Sequence, residues 1–300
     1  MVEDVLITEA GGDPGAGYES QPTLDLVERM NAADATVATA VAAAAPAIAE
    51  TVDAVAARLR AGGRLVYVGA GSSGLMAALD ASECEATFST APGQVLALVA
   101  GSPSAPPIVQ AAAEDDREAG VADVVGIGAG PADAVVGISA SGSTPYVLGA
   151  LDAAGSAGAL TACVVSSAGS ELGSIADHEV VVVVGPEFIV GSTRLKAGTA
   201  QKFVLNTIST VSMIRLGKTY GNLMVDVVAA NEKLAERVRR IVAAATGAST
   251  AEEIDSALAD ANGDARVAIV SLVAGIDAEA ARKRLDASDR SIARALEESS

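Results

Sequence analysis

Five short runs of β-branched and other apolar residues, RLVYVG (64–69), QVLALVAG (94–101), DAVVGIS (133–139), LTACVVS (160–166) and EVVVVVG (179–185), alternate with alanine-rich stretches of helical character. A strand that is apolar on both faces has to be covered on both faces, and the intervening helices supply the cover. The pattern predicts an α/β fold with a doubly wound, five-stranded parallel sheet. Right-handed crossovers then bring every strand-to-helix loop to one rim, the rim where ligands bind in such sheets.

Residues 1–22 contain AGGDPGAGYESQP (10–22), whose glycines and prolines predict an irregular N-terminal segment. From Thr23 the spacing of Leu24, Val27 and Met30 turns helical. A second helical pattern through Val37, Val41, Ile48, Val52, Val55 and Leu59 runs to about Arg60, with Pro46 marking a break or a new start and Gly62-Gly63 ending it. Beyond Gly191 the strand runs cease. Residues 194–246 read as long flanking helices with Phe203, Val204, Ile208, Val211, Ile214 and Leu216 on the apolar face. After Thr246-Gly247, breaks near Asn262-Gly263 and Gly275 predict a small helical bundle. The expected regions are therefore 1–22, 23–246 and 247–300.

Composition removes several classes of function. With 38 acidic against 20 basic residues the net charge is −18, which repels nucleic acids and anionic membranes. No Trp, three Phe and four Tyr leave few rings on which bases could stack. Mean hydropathy is positive at +0.40, yet the longest nearly apolar run, 35–49, carries Thr36, Thr39 and Pro46, stops at Glu50 and is too short to span a bilayer. The first thirty residues are acidic rather than a basic stretch followed by an apolar one, so the expected location is the cytoplasm. Cys84 and Cys163 are isolated and His178 is the sole histidine, which argues against a disulfide framework, a zinc site or a Ser-His-Asp triad.

Two hydroxyl-rich loops carry the chemistry. The first strand runs into Gly69-Ala70-Gly71-Ser72-Ser73-Gly74 and then a helix, which satisfies G-x-G-x-x-G in its required context. The second strand, however, ends Val99-Ala100-Gly101-Ser102, without the carboxylate that would hold a dinucleotide ribose. Leu75 stands where a Walker motif would have lysine. What remains is a turn presenting Gly71, Ser72, Ser73 and helix N-terminal amides to an anion. The third strand ends similarly, in Ser139-Ala140-Ser141-Gly142-Ser143-Thr144-Pro145, so Ser139, Ser141, Ser143 and Thr144 join the candidate site. Serines at such positions also serve as plain helix caps and turn formers. Neutral hydroxyls and amides on one rim suit a small sugar phosphate better than a long polyanion, which would recruit arginines. Nine of the basic residues lie between Arg194 and Arg240, and Arg194 and Lys196 at the mouth of the long helix are further candidates for an anion contact.

Taken together, VYVGAGSSGLMAALDASECEATF (66–88), VVGISASGSTPYVLGAL (135–151), VGPEFIVGSTRLKAGTAQKFVLNTIST (184–210) and RLGKTYGNLMVDV (215–227) closely resemble the N-acetylmuramic acid 6-phosphate etherases of the sugar isomerase (SIS) superfamily. The glucokinase regulatory protein is a more distant relative. The resemblance covers residues 20–298 and implies cleavage of the lactyl ether of the sugar phosphate by elimination and hydration, without metal or organic cofactor, in a homodimer. Opening the ring places an aldehyde at C1 and acidifies the C2 proton, so two carboxylates are required, one as base and one as acid for the departing lactate oxygen. The family's acid falls on Glu83, in Asp80-Ala81-Ser82-Glu83-Cys84, and its base on Glu114, in Ala113-Glu114-Asp115. By position alone each reads as surface charge. Leu75 and Ser143 stand where family members usually carry arginine, Thr8-Glu9 is what remains of an N-terminal motif, and Ser167-Ala168-Gly169-Ser170 replaces an Asn-Pro-Gly-Ser turn. A sugar-phosphate-binding regulator without turnover and a sugar-phosphate isomerase are the alternatives.

Overall fold

The computed structural model describes residues 8, 10–11, 13–101, 112–227, 232–247 and 250–297. The chain divides into two compact units, Met1–Ser82 with Gly93–Ser209, and Glu83–Pro92 with Thr210–Ser300.

In the first unit two short 3-10 turns, Pro14–Ala16 and Tyr18–Ser20, precede α1 (Thr23–Asp34), α2 (Thr36–Ala43) and α3 (Ala45–Arg60). Pro46 sits in the first turn of α3, where its missing N–H has no intrahelical acceptor to lose. The sheet consists of β1 (Leu65–Gly69), β2 (Val95–Val99), β3 (Ala134–Ser139), β4 (Leu160–Val165) and β5 (His178–Val181), with α4 (Gly71–Phe88), α5 (Arg117–Gly126), α6 (Pro145–Ser156), α7 (Glu171–Ile175) and α8 (Lys196–Arg215) following in chain order. The strands are parallel, in the order β2-β1-β3-β4-β5. This is the doubly wound sheet that the alternation of apolar runs predicts, with β5 stopping at Val181, four residues short of its apolar run.

Alternation along β1 shows both faces covered. Val66 and Val68 join Val124, Tyr146, Val147 and Leu151 of α5 and α6 in one core. The Tyr67 hydroxyl, from the opposite face, donates to the Leu205 carbonyl of α8 at 3.4 Å. α8 departs from its expected apolar face. Val204, Leu205, Ile208 and Met213 are fully buried while Phe203 and Ile214 are exposed, because the buried stripe also uses Ala197, Ala200 and Gln201. A stripe that includes small and polar residues is one that hydrophobicity alone does not reveal. No single helix among the described residues is long and apolar enough to cross a membrane; the bent pair of 23–43 and 45–60 passes that test only together, and α3 buries Ile48, Val52, Val55 and Leu59 in the unit.

The second unit holds a two-stranded antiparallel hairpin, β6 (Thr219–Tyr220) and β7 (Leu223–Met224), where the sequence reading expected no further strands. Its turn residue Gly221 has φ +56°, a local signal too short to register as a strand run. Helices α9 (Glu232–Thr246), α10 (Ala251–Asp260), α11 (Ala265–Ala274), α12 (Ala278–Ala287) and α13 (Ile292–Glu297) bury Val242, Val267, Ile269, Leu285 and Ile292 in a second core. Residues 83–92 belong to this unit through Ser89, whose hydroxyl donates to the Asp226 carbonyl oxygen. Asp226 also accepts from Lys218 at 2.5 Å and from the buried Arg266 at 2.7 Å.

Candidate functional site

The first loop is shaped by its glycines. Gly71 has φ +51°, and a Cβ at Gly74 would stand 2.6 Å from a Val99 methyl and 2.8 Å from the Gly69 carbonyl oxygen. Only bare backbone allows α4 to start directly on the end of β1. The Gly74 N–H is taken by the Ala70 carbonyl at 3.1 Å, while helix geometry leaves the N–H groups of Gly71, Ser72 and Ser73 without intrahelical acceptors.

The second loop is a network of hydroxyls. Ser139 Oγ lies 2.8 Å from Thr144 Oγ1 and 3.3 Å from Ser141 Oγ, and accepts the Gly142 N–H at 3.0 Å. Ser141 Oγ accepts from both the N–H and the hydroxyl of Ser143, at 3.2 and 3.1 Å. Pro145 then opens α6 in the position that suits its fixed φ.

The two loops meet in one cavity of about 230 Å³, lined by Gly71, Ser72 and Ser73 from the first, Ser139, Ser141 and Thr144 from the second, and by Glu114, Thr8, Gly191 and Thr193. It stands at the carboxyl ends of β1 and β3, the neighbouring strands between which the strand order reverses, which is where open α/β sheets bind ligands. Glu114, half-buried just ahead of α5, is the one charged side chain among the described lining residues. Attraction for an anion therefore comes from hydroxyls, amides and the positive ends of α4 and α6, each equivalent to roughly half a charge. The volume lies below the roughly 300–1,000 Å³ of drug-sized ligand sites, which favours a small ligand.

The remaining candidates stand elsewhere. Ser143 is exposed and is not in the lining. Glu83, also outside the lining, is an exposed residue of α4 in the second unit, five positions before the helix ends at Phe88. Arg194 is exposed, whereas Lys196 is buried and donates through Nζ to the Val184 carbonyl at 2.6 Å. At the mouth of α8 the anion is the chain's own. Glu187, only 4% exposed, accepts the N–H groups of Lys196 and Ala197, each at 2.9 Å. Sequence reasoning gave Thr193 and Thr8 no role in the site; the hydroxyls of Gly191-Ser192-Thr193 are the signal that could have drawn attention to Thr193. Burial beside Glu179 pushes the Cys163 thiol up to about 12, which leaves it protonated and inert as a nucleophile at neutral pH.

The family model for the glucokinase regulatory protein N-terminal SIS domain matches residues 47–155, a stretch that contains both loops. An N-acetylmuramic acid 6-phosphate etherase from Streptomyces avermitilis is 52% identical over 293 residues, covering 98% of this chain and 94% of the relative. Another, from Rubrobacter xylanophilus, is 53% identical over 282 residues, covering 94% and 93%. The chain belongs to the N-acetylmuramic acid 6-phosphate etherase family. Both loops of the cavity and Glu114 fall within the stretch that the SIS-domain model matches, whereas Thr8, Gly191 and Thr193 lie outside it. The solved structure of a phosphoheptose isomerase from Francisella tularensis superposes with a TM-score of 0.50 at 20% identity, over 63% of this chain and 99% of that one.

Proposed function

We propose that this protein cleaves the D-lactyl ether of N-acetylmuramic acid 6-phosphate, giving N-acetylglucosamine 6-phosphate and D-lactate. Glu114 carries the reading, as the charged side chain in a cavity otherwise lined by hydroxyls, small residues and backbone. The phosphate rests on the first turns of α4 and α6, held by Ser72, Ser73, Ser139, Ser141 and Thr144. With the ring open, Glu114 takes the C2 proton, the C3–oxygen bond breaks and a C2–C3 double bond forms in conjugation with the C1 aldehyde. Glu83 gives its proton to the departing lactate oxygen. Water then adds at C3, giving up a proton to the Glu83 carboxylate, and Glu114 returns a proton to C2, so both carboxyl groups are restored and the net change is hydrolysis of the ether. The role of Glu83 rests on its place in the Asp80–Cys84 motif, and that of Glu114 on the same resemblance together with the cavity.

In the cell this reaction serves amino-sugar catabolism and peptidoglycan recycling, in a cytoplasmic homodimer. With no arginine among the described lining residues, phosphate recognition falls to neutral donors, and Arg194 outside the cavity acts as an approach charge.

The test is coupled detection of D-lactate from N-acetylmuramic acid 6-phosphate with wild type, Glu114→Gln and Glu83→Gln. Each substitution should lower kcat by about 10²–10⁴-fold, the usual worth of general acid–base catalysis. Glu114→Gln should also abolish deuterium exchange at C2. A folded wild type that is thermally stabilised by the sugar phosphate yet releases no lactate would identify a binding protein instead.

A further inference from the structure

Thr8, Gly191 and Thr193 close one side of the cavity, and Thr8 reaches it from an N-terminal segment whose described residues form only short 3-10 turns. Its carbonyl accepts the Gly191 N–H at 3.2 Å, joining two residues of the wall directly. Only 1% of Thr8 is exposed, in keeping with Ser139 at 3% and Thr144 at 6% in the same wall.

A polar, glycine-rich segment buries little apolar surface and holds its place only through specific contacts. One group of them is at Thr8, whose carbonyl accepts the N–H groups of Glu187 and Gly191, and the other surrounds Tyr18. Its ring stacks on Phe188 with centroids 5.0 Å apart and planes 18° from parallel. The Arg29 guanidinium of α1 stands 4.9 Å from the ring centre. Arg29 also donates to the Gln21 side-chain oxygen at 2.8 Å, and the Gln21 amide donates to the Ala16 carbonyl at 2.7 Å. In a chain with three Phe and four Tyr, two of the seven rings meet at this point. Phe188 adjoins Glu187 and begins the stretch to Gly191 and Thr193, so the stack ties the N-terminal segment to the loop that carries the neighbouring part of the wall.

We propose that the described residues between Thr8 and Ser20 act as a strap completing the substrate cavity, with Thr8 as a substrate-contacting residue and Tyr18 and Phe188 as positioning residues that latch the strap. The role rests on the sugar-phosphate reading of the cavity. It assigns Tyr18 an effect on binding at a site it does not line, transmitted through Thr8.

The experiment compares Tyr18→Ala, Tyr18→Phe, Thr8→Val and the double variant Tyr18→Ala/Thr8→Val in the full chain. It reads KM and kcat for lactate release, the Kd for N-acetylglucosamine 6-phosphate by calorimetry, and the thermal midpoint. Tyr18→Ala should raise KM and Kd about tenfold, with kcat within about twofold, while Tyr18→Phe keeps the stack and restores wild-type values. Thr8→Val should raise both constants about fivefold, as expected for one lost hydrogen bond, and the double variant should be no worse than Tyr18→Ala. Independent, multiplying effects in the double variant would overturn the proposal. So would a Tyr18→Ala protein whose midpoint falls while KM and Kd stay put, or a Tyr18→Phe protein as impaired as Tyr18→Ala. A wild type that binds the sugar phosphate without releasing lactate refutes the etherase activity but leaves the Kd comparison to decide the strap. One that neither binds nor reacts refutes both.

Discussion

Replacing Glu187 by glutamine changes one buried oxygen to an amide nitrogen at the mouth of α8. Both carboxylate oxygens accept backbone N–H groups, Oε2 from Lys196 and Oε1 from Ala197, each at 2.9 Å. Glutamine can keep one of these acceptors, but its NH₂ group then faces the other N–H as a second donor. Hydrogen bonds to a charged group are worth about 1.5–3 kcal/mol, and the interaction with the helix dipole adds up to about 2 kcal/mol. Relief of the desolvation cost of a buried charge offsets part of this, leaving a net loss of about 2–3 kcal/mol. Residue 187 is 4% exposed, so solvent does not screen the difference. Hydrogen exchange at the Lys196 and Ala197 amides should accelerate roughly 30- to 150-fold if the cap controls opening of that first turn. The urea-unfolding free energy of the unit should fall by the same 2–3 kcal/mol. Unchanged exchange at both amides, with a stability change under about 0.5 kcal/mol, would refute the account of Glu187 as the internal anion of the helix.

Gly120→Ala should destabilise the first unit by about 3 kcal/mol, because the added Cβ would stand 2.0 Å from the Tyr146 carbonyl oxygen. Gly126→Ala on the same helix meets nothing within 4 Å and serves as the control in thermal melts. Equal midpoints for the two would exclude a close contact of α5 with α6. The Arg64 guanidinium, with its own N–H and that of Gly130, holds the Asp133 carboxyl below its ordinary value of 3.8. A depressed folded pKa means stability that is fully present above the unfolded value and is lost as pH falls through the folded one. Asp133→Asn should therefore flatten the decline of the thermal midpoint below about pH 4, and an unaltered acid slope would contradict the ion pair.

Most of the sheet was legible because burial on both faces forces a strand to be apolar at every position, and that leaves a continuous run in the sequence. The glycine and serine loops were legible for a related reason. Gly74 has to be glycine wherever a helix starts against the end of its strand, and Ser139 and Thr144 are local partners five residues apart. The hairpin at Thr219–Met224 left no such trace, since two-residue strands have no period to read.

The composition of the sequence determined that an anion at this site would be met by hydroxyls and amides, because no basic residue occurs in either loop. Only tertiary structure decided which charges are free to act. The basic cluster around Arg194 and Lys196 looked like an anion site, but Glu187, nine residues before Lys196, folds back and occupies the helix mouth. Likewise, Thr8 stands 183 residues from Gly191 in the chain, and only the fold joins them by a backbone hydrogen bond. Periodicity and capping are short-range and can be read along the chain. The pairing of a wall residue with a distant loop depends on long-range contacts such as the stack of Tyr18 on Phe188, and these exist only once the chain has closed on itself.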